Sequence, residues 1–182
     1  MENTIIKQHY IAQEYLICQA TSEHFEAMLN IFLETAEWLH SKGIRQWGHF
    51  LDGYGRDDIT ASIDSGSAYV VLQGDTVIGT VCVLIEPEEW DHHIWPDTNL
   101  EDSVMIHRLA VSRDYAGTGI GKQIITWVEN GLQFPSAKKY IRLDCVGDNE
   151  KLNAYYVSQG FEKVGSTDGH SKYQKEIGVV VS

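Results

Sequence analysis

The chain has 182 residues, 43% of them apolar and 22% charged, the balance of an ordinary folded domain. Folding at this length buries roughly 70% of the surface of the extended chain, so a core needs no disulfide or metal staple and one domain, 1–182, is expected. Against 26 acidic side chains stand 14 scattered basic ones, a net charge of -12, which argues against a nucleic-acid backbone as partner and favours solubility or cationic partners such as polyamines, amino sugars and lysine-bearing peptides.

The three cysteines, Cys18, Cys82 and Cys145, are widely spaced, lie in apolar runs and form no CxxC pair. Free buried thiols in a reducing cytoplasm are the expectation. The first twenty residues hold no apolar core segment, and apolar runs such as Val81–Ile85 reach only five residues, so neither a signal peptide nor a membrane span is expected.

In chain order, a short strand at Tyr15–Gln19 precedes Thr21 and Ser22, which can cap a helix. Phe25, Met28, Leu29, Phe32, Ala36 and Leu39 then recur at helical spacing up to a stop at Gly43. A loop with Trp47, Gly48, Gly53, Tyr54 and Gly55 leads to a short helix at Asp57–Ser65. Two apolar strands, Ala68–Gln73 and Val77–Ile85, flank a Gly74-Asp75 hairpin turn. A polar and aromatic loop over 86–102 precedes a strand at Ser103–Val111, a glycine-rich turn and a helix from Gly119 to Asn130. A strand at Lys139–Val146 and a helix at Asn149–Gln159 follow, the helix stopped by Gly160, and two short strands close the chain by Ile177. Hairpins mixed with one βαβ crossover make an α/β fold with a mixed, mostly antiparallel central sheet and flanking helices.

The turn is the most informative stretch: Leu109-Ala110-Val111 runs through Ala116-Gly117-Thr118-Gly119-Ile120-Gly121-Lys122 into a helix. Glycines let successive N–H groups point inward and a helix N-terminus adds unpaired donors, so the natural ligand is a phosphate or pyrophosphate. GxGxxG fails because Lys122 stands where a glycine is needed. A P-loop fails at Ala116 and Gln123.

Ala116 to Gly121 resembles the acetyl-CoA signature R/Q-x-x-G-x-G/A of the GCN5-related N-acetyltransferase (GNAT) superfamily, with Ala116 in place of the usual Arg or Gln. Asn149, Leu152, Tyr156 and Gly160-Phe161 are similar to the family's N-x-x-A-x-x-x-Y-x-x-x-G-F segment, Leu152 replacing a frequent Ala. The resemblance implies the acyl-CoA N-acyltransferase fold and acetyl-CoA as co-substrate, with direct transfer of acetyl to a primary amine of a small molecule or peptide. It implies cofactor contacts at Leu109, Ala110 and Val111, across Ala116, Gly117, Thr118, Gly119, Ile120, Gly121 and Lys122, and at Asn149 and Tyr156. Tyr156 would be the general acid that protonates the departing thiolate. From residue type alone, Tyr156 is equally a core aromatic and Tyr155 equally the inward-facing one.

Strict alternation puts Met105, His107, Leu109 and Val111 on one face of their strand, so His107 is a candidate base for the amine proton, with a hydrogen-bonded structural histidine as the other reading. Glu34, Trp38, Trp47, Tyr54, Trp90 and Trp95 offer carboxylate and aromatic surfaces to a cationic acceptor, or serve as packing anchors. His92-His93 with Asp91 and Asp97 has no distinctive ligand spacing, and no metal is expected. Two other readings stay open: a catalytically silent acyl-CoA sensor, and an acyltransferase with another acyl donor or a hydroxyl acceptor. A homodimer through exposed sheet edges is compatible with this pattern.

Overall fold

In the computed structural model, residues 3–178 are described. The chain divides into two compact units, each built from segments distant in sequence: residues 7–83 with 108–131, and residues 84–107 with 132–178 and the short strand at 5–6.

In the first unit, β2 (Tyr10–Ile11), β3 (Tyr15–Gln19), β4 (Ala68–Gln73) and β5 (Thr76–Leu84) form an antiparallel run in that order. The Gly74 turn joins β4 to β5 in the hairpin expected, and its φ of 60° is a conformation glycine adopts without strain. Helix α1 (Phe25–Ser41) buries Met28, Leu29, Ile31, Phe32, Ala36 and Leu39, the stripe that its three- and four-residue spacing predicts. Phe32 is the centre of an aromatic group, stacked on Phe50 at 5.0 Å and meeting Trp47 edge-on at 5.5 Å. Phe50 belongs to the one-turn helix α2 (Gly48–Leu51), and α3 (Arg56–Asp64) follows it. Helix α5 (Ile120–Asn130) buries Ile120, Ile124, Ile125, Trp127 and Val128. A Cβ on Gly79 of β5 would stand 3.2 Å from the Ile124 side chain, so the missing side chain sets how closely α5 packs.

In the second unit, β8 (Tyr140–Val146) pairs antiparallel with β10 (His170–Glu176) along its whole length, and β10 with β9 (Glu162–Thr167). On its other side β8 runs parallel to β6 (Ser103–Val111), with Ser103–Met105 opposite Tyr140–Arg142. The β6-to-β8 connection carries α5, which is the βαβ crossover expected. Helix α6 (Glu150–Ser158) lies between β8 and β9 in sequence. Ile94, Trp95, Leu100 and Met105 form one buried cluster. Tyr156 packs near Phe161 and Tyr173 in another, with ring centroids 6.0 and 5.8 Å apart.

The loop expected over 86–102 contains a helix, α4 (Glu89–Ile94), begun by a capping box in which Glu88 and Asp91 each take the other's backbone N–H. The two-residue pair β1 (Ile5–Ile6) and β7 (Leu132–Gln133) also escaped the sequence reading, being too short to show a period. In β6, Arg108 has a φ of 49°, in the left-handed region. This interrupts the alternation, so the expected shared face of His107 with Leu109 and Val111 is not fixed by a period of two. Truncating Phe32 to Ala should cost about 3–5 kcal/mol, since the ring is fully buried among two other aromatics. Urea unfolding of the two proteins, at unchanged m-value, measures it.

Candidate active site

Strand β6 carries candidate residues of both units along one chain, His107 in its first half and the glycine-rich turn after its second. The turn begins with a 3-10 segment at Arg113–Tyr115 that is held at three points. Glu34 accepts the Arg113 backbone N–H at 2.9 Å, the Arg113 guanidinium lies 3.9 Å over the Trp38 ring, and the Tyr115 hydroxyl donates to the Gln73 side chain. Gly117 and Gly119 take φ of 76° and 84°, while a Cβ on either would meet nothing within 4 Å. Backbone conformation, rather than crowding, therefore demands glycine. Gly119 is the N-cap of α5 and no side chain caps that end, so the first-turn N–H groups of Ile120, Gly121 and Lys122 have no intrahelical acceptor. Ala116 to Gly119 and the Lys122 side chain are exposed beside them. Thr118 contributes less than expected, because its N–H and its hydroxyl both bond the Tyr115 carbonyl, at 3.3 and 2.5 Å.

The acceptor set is largely redirected. Glu34 and Trp38 hold the turn, and Trp47 packs on Phe32 and Phe50. Trp95 is a core residue, with the Lys172 ammonium 5.2 Å from its ring. Tyr54 is 70% exposed and Trp90 is 40% exposed. Leu109 and Val111 are half-buried and Ala110 is buried.

In the second unit, the β8–β10 register separates two faces. Asp144 stands opposite Lys172 and Arg142 opposite Gln174 on one, Cys145 opposite Ser171 and Leu143 opposite Tyr173 on the other. On the Asp144 face, His107 Nε2 lies 2.8 Å from Oδ1 of the fully buried Asp91. The Asp91 Oδ2 atom accepts the Glu88 backbone N–H at 2.9 Å, which fixes the carboxylate. Asp144 takes the Trp90 indole N–H at 3.2 Å, and His170 Nδ1 stands 3.0 Å from its Oδ2. Burial alone works against a charged His107, but the Asp91 carboxylate, with Glu88 and Asp144 behind it, more than offsets this and leaves the imidazole pKa above its usual value. A raised pKa strengthens the ring as a proton acceptor but leaves less of it unprotonated at neutral pH, and its hold on Asp91 fits the structural reading of His107 as well as the base. Burial also raises the Asp144 carboxyl, against the opposing pull of His107, the Trp90 hydrogen bond and His170.

On the Cys145 face, Tyr156 is buried, and desolvation, reinforced by Cys145, Tyr155 and Asp144, pushes its pKa well above that of free tyrosine. It stays protonated and able to donate at neutral pH. The hydroxyl of Tyr155 is buried without a hydrogen-bond partner, and burial pushes its pKa up to about 12. Asn149 is the N-cap of α6, its Oδ1 accepting the Leu152 N–H at 3.2 Å. Asn153 braces the same end, bonding the carbonyls of Val146 and Asn149 and receiving the Tyr173 hydroxyl at 2.7 Å.

Three residues central to this arrangement, Asp91, Asp144 and His170, were not assigned a catalytic or binding role from sequence. Only Asp144 carried a signal: it alternates with Leu143 and Cys145 in an apolar strand, where a charge on the opposite face needs a partner.

Comparison with known proteins identifies the family. A chain of 39% identity over 173 residues, covering 94% of this protein and 96% of its own length, is the uncharacterized N-acetyltransferase YesJ of Bacillus subtilis (strain 168). The crystal structure of a GNAT-family acetyltransferase from Listeria monocytogenes 4b F2365 superposes with a TM-score of 0.73 at 28% identity, covering 96% of this chain and all of that one. PaiA N-acetyltransferase from Thermoplasma acidophilum, solved in complex with coenzyme A, shares the fold with a TM-score of 0.67 at 15% identity, over 89% of this chain and 98% of its own. The family model described as "Acetyltransferase (GNAT) family" matches residues 25–161, and the chain therefore belongs to the GNAT family of acetyltransferases.

Proposed function

We propose that this protein is an acetyl-CoA-dependent N-acetyltransferase that passes the acetyl group directly to a primary amine of a small molecule or peptide. The observation that carries the reading is the turn: left-handed Gly117 and Gly119 lead into an uncapped helix start, a backbone cradle for pyrophosphate. Its donors are the N–H groups of Gly119 to Lys122, with the Lys122 ammonium beside them. The coenzyme A bound by the Thermoplasma relative of the same fold supports the ligand class.

Parallel pairing of β6 with β8 covers Ser103–Met105 only, among the described residues, so the backbone edge of β8 beyond Arg142 suits the amide groups of a pantetheine arm. At the thioester end, attack by the amine expels the coenzyme A thiolate, which takes the Tyr156 hydroxyl proton. The acceptor enters as a neutral amine: an ammonium of pKa about 10.4 is deprotonated in about one molecule in 2,500 at pH 7, roughly 4.6 kcal/mol of the barrier. Within the first unit, Trp38 and Tyr54 retain exposed aromatic surface for that acceptor.

Acetyl-CoA at about 100 times its Kd should raise Tm by about 5–11 °C, and Gly119→Glu, which also lowers the starting Tm by straining the left-handed turn, should abolish the shift. No shift in the unmodified protein would end the cofactor assignment. Tyr156→Phe should lower kcat about 100-fold in an amine-dependent thiol-release assay, with acetyl-CoA affinity retained; an unchanged kcat removes Tyr156 as the acid. Thiol release that never depends on added amine, with binding intact, would favour the silent sensor. At the start of α6, Asn149→Ala should cost about 1 kcal/mol by loss of the cap, whereas Asn149→Asp keeps the cap and so keeps Tm. If the amide also holds the pantetheine arm, Asn149→Asp weakens acetyl-CoA binding without that loss of stability.

A further inference from the structure

Helix α4, β6 and β8 each deliver one ligand-type side chain to the same spot. Atoms of Asp91, His107 and Asp144 lie within 4.8 Å of one another. Asp91 is fully buried, and the side chains of His107 and Asp144 are close to it in burial. Two carboxylates share this enclosed point with a single imidazole, so a proton on the ring can offset only one of them, and a divalent cation that displaces that proton would serve all three.

The orientation of the atoms is a second, separate observation. Asp91 Oδ1 and His107 Nε2 approach to 2.8 Å, yet each is buried without an aligned hydrogen bond. The outer support is already in place. The Glu88 N–H holds the other oxygen of Asp91, and Trp90 and His170 flank Asp144. Carboxylate ligands of bound metals are typically held in this way.

From this convergence we infer a divalent transition-metal site formed by Asp91, His107 and Asp144, with its fourth position left to water. One imidazole nitrogen with two carboxylates suits Zn²⁺ or Co²⁺ better than Ca²⁺ or Mg²⁺, which prefer all-oxygen shells. Metal–ligand bonds of about 2.0–2.2 Å place tetrahedral ligand atoms about 3.3 Å apart, so the Asp91–His107 contact opens slightly and Asp144 moves inward. The site has no sequence signature because residues 91, 107 and 144 come from three elements, whereas the adjacent His92 and His93 take no part. His93 instead pairs with Asp168 at 2.9 Å. A bound ion would clip α4, β6 and β8 together, a stabilising role that does not depend on the acetyl-transfer reading.

The test is titration of the chelator-treated, full-length protein with Zn²⁺ by calorimetry and by competition with a chelating dye. One equivalent should bind, Tm should rise, and Asp144→Asn and His107→Gln should each weaken binding at least tenfold, while His93→Gln binds as the unmodified protein does. Stoichiometric binding lost in His93→Gln but kept in the other two would overturn the assignment, as would no binding at all. If either cluster variant fails to fold, Co²⁺ added to the unmodified protein decides the matter. A visible ligand-field spectrum of a four-coordinate ion, with NMR signals of the Trp90 indole and His107 broadened before that of His93, supports the site. Broadening centred on His93 or spread over surface histidines sinks it.

Discussion

A strand inside a sheet must satisfy its backbone groups on both edges, and on its β8 side β6 does so for three residues. Beyond Met105 the parallel ladder stops while β8 continues against β10. Three residues later Arg108 takes a left-handed conformation that re-aims the last residues of the strand. The edge of β8 beyond Arg142, left without a β6 ladder, is a consequence of that interrupted pairing. A β8 laddered to β6 in full register would have no backbone edge there to offer a ligand.

Much of this was legible in the sequence wherever a residue type answered to a single physical demand. The buried stripe of α1, the Gly74 hairpin, the bounds of β6 and the glycine turn each rest on local periodicity or on backbone freedom, which a linear sequence displays. The helix over 89–94 was missed because its capping box uses Glu88 and Asp91, while the aromatic and histidine residues around them read as loop. The contacts made by the acceptor candidates stayed hidden for a different reason. Glu34 and Trp38 are polar and aromatic, as a cation site requires, but Arg113, 75 or more positions away, occupies both, and no local pattern announces that. His107 shows the same limit in its chemistry: the spacing could place it on β6, but its protonation is decided by Asp91, sixteen residues earlier in α4.

The electrostatics of the second unit follow from its faces. Cys145 and Tyr156 share an apolar environment in which a phenol keeps its proton, and one residue away Asp144 faces imidazoles and an indole N–H. Alternation along a single strand thus holds a neutral donor and a charged cluster within a few ångströms of backbone, on opposite sides of the sheet. The two environments still feel each other, since the Asp144 charge helps hold the proton on Tyr156.

The division of the chain also constrains how it is made. The first unit needs α5 to cover β5, so it cannot close until residue 131 has been synthesised, although β2 to β5 are complete by residue 84. The second begins with residues made before residue 108 and waits for β10, which partners both β8 and β9. For much of synthesis the first half of β6 therefore lacks β8, and Ile94, Trp95, Leu100 and Met105 lack the strands that complete their unit. That interval is when a nascent chain of this design is most open to aggregation and most dependent on chaperones.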